Sequence, residues 1–257
     1  FDAASEVGGQ LNMARQVPGK EEFDEMLRHF RKRIDITGVQ LQLNTRVNAA
    51  ALKGFDEVIV ATGVTPRDPK IPGQEHPKVL SYIDVLRHDK PVGARVAIVG
   101  AGGIGFDMAE YLLEAGHSLT LDAAAWRRHW GVGDPEQVRA GLARPAPEAP
   151  TRQITLLQRK AGKPGAGLGK TTGWIHRAAL KMKQVDMLSR VNYEQITPEG
   201  LWVSFGEKRE AAQLIAADTI VLCAGQEPLR ELEAPLRAAG VSVHLIGGAL
   251  EAGELDA

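Results

Sequence analysis

The segment Val96 to Ala109, VAIVGAGGIGFDMA, contains Gly100-Ala-Gly102-Gly103-Ile-Gly105. This is a G-x-G-x-x-G pattern set between an apolar β-branched run and a helical pattern, the context in which the motif has meaning. Each glycine has its own use. Gly100 permits a tight turn, Gly102 lets backbone approach a diphosphate, and Gly105 lets helix and strand pack closely. The free N–H groups at the helix start, from Gly103 and Ile104 on, attract phosphate. The chemistry is the holding of a dinucleotide, and the open question is which group reads its ribose. Asp122, after SLTL, sits at the usual spacing of about 20 residues for an acid that binds an unphosphorylated ribose. The pair Arg159-Lys160 lies further on, and two cations suit a 2′-phosphate that an acid would repel.

The elements around the motif decide between them. If Ser118–Leu121 were the second strand of the unit, the third would be Ile154–Gln158. The connection would be AAAWRRHWGVGDPEQVRAGLARPAPEAP, which offers only a helix broken by Gly and Pro. If Ile154–Gln158 is the second strand, a helix near Thr172–Lys183 and a strand at Val185–Leu188 follow at ordinary loop lengths. The second arrangement makes 118–152 an irregular insertion. It ends the strand in Gln158-Arg159-Lys160, without an acid, so NADPH is the expected nucleotide. A solvated basic turn is the alternative reading of that pair.

The rest of the chain alternates apolar runs with helical patterns, which points to an α/β protein. Glu21–Ile36 carries an apolar stripe at Phe23, Met26, Leu27, Phe30 and Ile34. Further helices are expected at Ser81–Arg87 and Gly105–Ala115. Strands are expected at Val39–Leu43, Glu57–Ala61, Arg95–Val99, Val191–Ile196, Leu201–Phe205 and Thr219–Cys223. Pro198-Glu199-Gly200 reads as a hairpin turn, and Pro91 with Gly93 as a domain boundary.

Composition narrows the class. The 257 residues are 44% hydrophobic and 25% charged with a net charge of −1, so there is no electrostatic case for nucleic acid or an anionic membrane surface. No apolar run reaches the roughly 18 residues of a membrane span, and nothing resembles a signal peptide. A cytoplasmic protein is the expectation. The single cysteine, Cys223, excludes a disulfide within the chain and a cysteine-ligated zinc or iron–sulfur site built by this chain alone. Its apolar strand predicts an inert thiol. The seven histidines show no metal-ligand spacing. The chain begins at Phe1 and stops at GELDA, which reads as an internal segment of a longer polypeptide.

FDAASEVGGQLNMARQVPGKEEF, FDEVIVATGVTPR, HPKVLSYIDVL, VAIVGAGGIGFD, LLQRKAGKPGAGLGKTTGWIHR, VLCAGQEP and HLIGGALEAGELDA together resemble the C-terminal half of the bacterial NADPH-dependent 2,4-dienoyl-CoA reductase family. Those enzymes are old yellow enzyme-like, trimethylamine dehydrogenase-like flavoproteins. The resemblance covers essentially the whole chain. GLGKTTGWIHR and KVLSYIDVLR are its specific parts.

The resemblance implies a glutathione reductase/thioredoxin reductase-like α/β architecture. A Rossmann-like NADPH-binding domain (91–225, with the insertion at about 118–152) would be inserted in a truncated FAD-binding domain (1–90 and 226–257). An N-terminal TIM barrel of the same polypeptide would carry FMN, a 4Fe-4S cluster and the substrate site. This chain would pass electrons from NADPH through FAD toward them, with no catalytic residue or metal of its own.

For FAD, the resemblance implies Asp2 at the adenosine ribose, with Gly8, Gly9 and Gln10 in the following loop and Lys20 as a further polar contact. It places Val47 where backbone pairs with adenine, and Ala61-Thr62-Gly63 as a close-approach turn. Gly247, Gly248, Leu255, Asp256 and Ala257 fall at the flavin side, where a GD pair common in relatives is replaced by GGALEAGELDA. Other readings are a related flavin oxidoreductase of enones or amines, a non-catalytic ADP-binding electron-transfer module, and a fragment that does not fold alone.

Overall fold

A computed structural model describes residues 1–114 and 118–253. In chain order the elements are α1 (Leu11–Ala14), α2 (Glu22–Thr37), β1 (Glu57–Val60), β2 (Val64–Pro66), β3 (Val79–Ser81), α3 (Tyr82–Leu86), β4 (Arg95–Val99), α4 (Gly103–Leu113) and α5 (Ala123–Trp130). There follow β5 (Gln153–Leu157), α6 (Gly173–Met182), β6 (Asp186–Leu188), β7 (Val191–Thr197), β8 (Gly200–Phe205), β9 (Glu210–Ala216), β10 (Thr219–Leu222), β11 (Gln226–Pro228), α7 (Glu233–Ala238) and β12 (Ser242–Leu245). The chain divides into two compact units. Unit 1 comprises Phe1–Asn12, Glu22–Asp68 and Gly225–Ala257, and unit 2 comprises Met13–Glu21 and Pro69–Ala224.

Unit 2 is built on a parallel five-stranded sheet of order β3-β10-β4-β5-β6. Four of the five residues of β4 are buried, the near-continuous apolar run expected of a parallel strand covered on both faces. Successive side chains point to opposite faces. Val96, Ile98, Ile154 and Leu156 pack with Phe106, Met108, Leu112 and Leu180 from α4 and α6. Ala97, Val99, Leu157 and Ile220 pack with Val191, Leu201 and Val203 from the antiparallel meander β7-β8-β9. The unit thus has three layers: helices, parallel sheet and antiparallel sheet.

Some elements depart from expectation. The two compact units divide at Asp68/Pro69, against an expected domain boundary at 90/91, and β3 is hydrogen-bonded along β10 at the sheet edge. Ser118–Leu121, rejected as the second strand on loop lengths, contains a 3-10 turn, Leu119–Leu121, and β5 pairs with β4. The 118–152 segment is not wholly irregular, since it holds α5. The Asp122 side chain caps that helix, and Gly131, at φ 69°, ends it. These are ordinary start and stop signals. β9 went unforeseen because EAAQLIA is mostly exposed and gains its order from pairing with β8.

Unit 1 pairs β1 with β12 in parallel and β2 with β11 antiparallel. Its core is small: Leu52, Val60, Leu236, Val243 and Ala249. Val39–Leu43, expected as a strand, forms no ladder. Nearby backbone bonds from Asp2 to Gln42, Thr45 to Asp2 and Asn44 to Ala4 hold extended chain there. Its Val39 and Leu41 side chains are exposed. Among the described residues no helix is long and apolar enough to cross a membrane.

Candidate functional site

The glycine turn joins β4 to α4 at the carboxyl end of the sheet, where open α/β sheets bind their ligands. Gly100 has φ +115°, and a Cβ there would lie 2.1 Å from the Cys223 carbonyl oxygen. A Cβ on Gly105 would lie 1.9 Å from the Gly100 oxygen. Both positions require glycine because backbone passes against backbone. Gly102 differs: a Cβ there would meet nothing within 4 Å. It is the N-cap of the 11-residue α4, which has no side-chain cap and no acid in its first turn. The first N–H groups of a helix have no intrahelical acceptor, and the positive end of the helix dipole faces the same space. The turn therefore fits a nucleotide diphosphate, approached over Gly102 and held by N–H groups of the Gly103-Ile104-Gly105 turn.

The neighbouring strand supplies the charge. β5 pairs with β4 in register Val99↔Leu157, and the Gly100 N–H donates to the Leu157 carbonyl at 2.9 Å. Arg159 and Lys160 follow directly, and both are exposed. Among the described residues no carboxylate is paired with either. Gln158 Nε2 donates to the Lys160 carbonyl at 3.1 Å, and the Arg190 N–H donates to the same oxygen at 3.3 Å. Beneath them the Tyr193 hydroxyl donates to Leu157 O. Burial pushes the Tyr193 phenol up, against the opposing pull of the Arg159 charge. Asp122, the rival ribose ligand, accepts from Ala124 N and Ala125 N, both at 2.9 Å, in capping α5.

The next turns of α4 carry acids that sequence reasoning passed over. Asp107 Oδ2 lies 2.6 Å from Lys20 Nζ, and Glu110 Oε1 lies 2.7 Å from His176 Nδ1. The hydrogen bond to Glu110 raises the His176 pKa, opposed by desolvation and the Lys20 charge. The signal available was the three-residue spacing of Asp107 and Glu110, which puts both on one helix face. Cys223 is buried, which pushes its thiol up.

The residues assigned to FAD fall mainly in unit 1. Asp2 Oδ1 accepts from Ala4 N at 2.8 Å. Gly9 has φ +52° with open space at its Cβ position, and Gln10 accepts from Gln226 Nε2. Val47 packs against the unit 1 core. The turn after β1 carries Ala61, Thr62 and Gly63. Thr62 donates to Leu229 O at 2.5 Å, and Leu229 N donates to Gly63 O at 3.0 Å. A Cβ on Gly248 would lie 3.3 Å from Gly63 Cα and 2.7 Å from Val64 Cγ1, so Gly248 is explained by packing. Lys20 lies in unit 2, where it pairs with Asp107. Leu255, Asp256 and Ala257 lie outside the described residues. The G-x-G-x-x-G pattern of unit 2 does not recur in the sequence of unit 1.

The chain matches the pyridine nucleotide-disulphide oxidoreductase family over residues 4–250. It belongs to that family. Members are redox proteins, and family membership implies FAD and a pyridine nucleotide. A metal reductase of Desulforamulus reducens is 29% identical over 98% of this chain and 37% of its own length. An NADH oxidase of Thermoanaerobacter brockii is 25% identical over 99% of this chain and 34% of its own. Among solved structures, a 2-naphthoyl-CoA reductase complex superposes with a TM-score of 0.77 at 20% identity, over 98% of this chain and 33% of that one. Histamine dehydrogenase from Rhizobium sp. 4-9 gives 0.70 at 18%, over 98% and 37%. The chain thus spans about a third of the length of these proteins, and the structural likenesses speak to fold alone.

Proposed function

We propose that this chain is the FAD/NADPH-binding reductase portion of a 2,4-dienoyl-CoA reductase-like flavoenzyme. It would work with a TIM-barrel part of the same polypeptide that carries FMN and a 4Fe-4S cluster. Unit 2 holds NADPH, with its diphosphate over Gly100–Gly105 and its 2′-phosphate on Arg159 and Lys160. Bound NADPH supplies a hydride, for which the FAD of the whole flavoenzyme is the acceptor. The chain's own residues bind and orient the nucleotide, and none is needed as a general acid or base. The observation that carries the reading is the adjacency of β5 to β4, which sets two cations and no acid beside the glycine turn.

Calorimetry of NADPH and NADH on this chain tests it, beside Arg159→Ala/Lys160→Ala and Asp122→Ala. The expected result is a preference for NADPH that the double variant reduces on the order of a hundredfold, as loss of charge-assisted hydrogen bonds would. A preference for NADH that Asp122→Ala abolishes would reverse the assignment. A second reading concerns the electron acceptor. Relatives of this portion include proteins named metal reductase, bilirubin reductase and cinnamate reductase. The same nucleotide unit would then serve a different oxidised substrate, with its NADPH chemistry unchanged.

A further inference from the structure

The cations of the ribose site stand on a loop, 159–172, that needs an anchor if they are to face a phosphate. On the β5 side the anchor is the strand itself, with Gln158 Nε2 holding the Lys160 carbonyl. On the far side one point of attachment to the glycine turn is formed by Gly165. Its N–H donates to the Ala101 carbonyl at 3.3 Å, inside the G-x-G-x-x-G turn. Gly165 has φ +72°, and a Cβ there would lie 2.6 Å from Phe106 Cζ. Only glycine lets the loop settle on that ring.

The Gly165 carbonyl accepts from Arg177 Nη1 at 2.8 Å. Arg177 is half-buried on α6, which His176 fastens to Glu110 of α4. A guanidinium on one helix thus grips the loop residue that touches the phosphate turn.

We infer that Arg177 is a positioning residue for 2′-phosphate selectivity, acting through Gly165 to hold Arg159 and Lys160 beside the glycine turn. The inference rests on the NADPH reading above. The two halves of the nucleotide depend on Arg177 unequally. Gly100 is bonded to Leu157 and lies against Cys223 backbone, and the loop reaches the turn through the Ala101 carbonyl, so the N–H groups of the diphosphate cradle keep their own support when Arg177 is lost. The cations are held on the β5 side through the Lys160 carbonyl, by Gln158 and Arg190, and the far side of their loop is held through Gly165. A charge-assisted contact works only when the group is held in place, because ordering a free Arg or Lys side chain and its loop on binding costs affinity.

The test uses the full chain, with NADPH, NADH, and adenosine 2′,5′-bisphosphate against adenosine 5′-monophosphate as probes. Arg177→Met is expected to weaken NADPH roughly tenfold, within the usual range of coupling between residues of one network, while NADH changes by less than about twofold. Arg177→Lys, which keeps one donor, should recover part of the preference. Gly165→Ala, which lifts the loop off Phe106, should lose it in the same ratio. In the Arg159→Ala/Lys160→Ala background, Arg177→Met should change the NADPH/NADH ratio no further.

Equal loss of both nucleotides in Arg177→Met, with folded circular dichroism, would make Arg177 merely structural and overturn the inference. A further fall in the ratio on the double-variant background would make it a direct phosphate contact and overturn it too. If the double variant erases the preference and Arg177→Met leaves it intact, the inference fails and the NADPH reading stands. If the double variant leaves the preference intact, both fail.

Discussion

Two pairs of glycines, one pair in each unit, are required for opposite reasons. In unit 2, Gly100 and Gly105 sit where backbone presses on backbone, with virtual Cβ distances of 2.1 and 1.9 Å. In unit 1, Gly9 and Gly63 have positive φ but nothing within 4 Å of a Cβ. Their cores differ in parallel. β4 is buried at four of five positions. β1 is buried at one of four, and its Ile59 is 64% exposed. The Gly100–Gly105 turn of unit 2 is therefore specified by packing. At Gly9 and Gly63 of unit 1 the requirement for glycine is the positive φ alone. The contrast also isolates Gly102, the motif glycine of unit 2 that, like Gly9, faces open space.

The largest effect that tests this contrast is steric. Gly105→Ala must move the Gly100 carbonyl and should cost roughly 3–5 kcal/mol, the range of severe single-site strain. Gly63→Ala should cost only about 1–3 kcal/mol for its positive φ. Urea denaturation followed by hydrogen exchange in each unit measures both, and equal costs would undo the comparison.

Next comes Gly102→Ala. Its Cβ meets no protein atom, so the melting temperature should stay or rise slightly. Nucleotide affinity should fall by about tenfold or more, equivalent to roughly 1.4 kcal/mol of lost diphosphate contact. Unchanged affinity would mean that Gly102 serves the fold alone.

The smallest effects set two histidines of unit 2 against each other. Burial, with the Lys183 charge, lowers the pKa of His129 on α5 against the pull of Glu148. Its Nδ1 has no hydrogen-bond partner. The folded state resists the proton, so His129 supports the docking of α5 above about pH 6.5. That support is lost as pH falls from there through the lowered value. His176 has the opposite sign. Glu110 raises its pKa, so its contribution is full below about pH 6.5 and is lost as pH rises through the raised value. Hydrogen exchange at 123–130 and 173–182 from pH 5 to 8 should show α5 opening at the acid end and α6 loosening at the alkaline end. His129→Gln should abolish the first and His176→Gln the second. Acid opening of α5 that persists in His129→Gln would remove the role given to that buried ring.

Much of this was legible from residue patterns. The run RVAIV, the glycine spacing and the apolar helix after it could only be strand, turn and helix. Loop lengths alone placed β5 next in order. What escaped were elements whose order comes from a partner. β9 is exposed along most of EAAQLIA and exists through its ladder with β8. β12 reads as a strand only beside β1. Val39–Leu43 has the strand pattern, yet no neighbouring strand completes it. The pairing of Lys20 with Asp107 was equally hidden, because the two lie 87 residues apart.

By itself the sequence determined that a glycine turn joins strand to helix and where its glycines stand, since those depend on covalent geometry and local backbone sterics. Only the tertiary structure decided what each position is for. It gave β5 its register against β4, which loop lengths had only ordered, and it engaged Asp122 in capping a helix. It also separated Gly100 and Gly105, which neighbouring backbone requires, from Gly102, which the fold leaves open. That distinction turns on distances between residues remote in the chain, which no local pattern encodes.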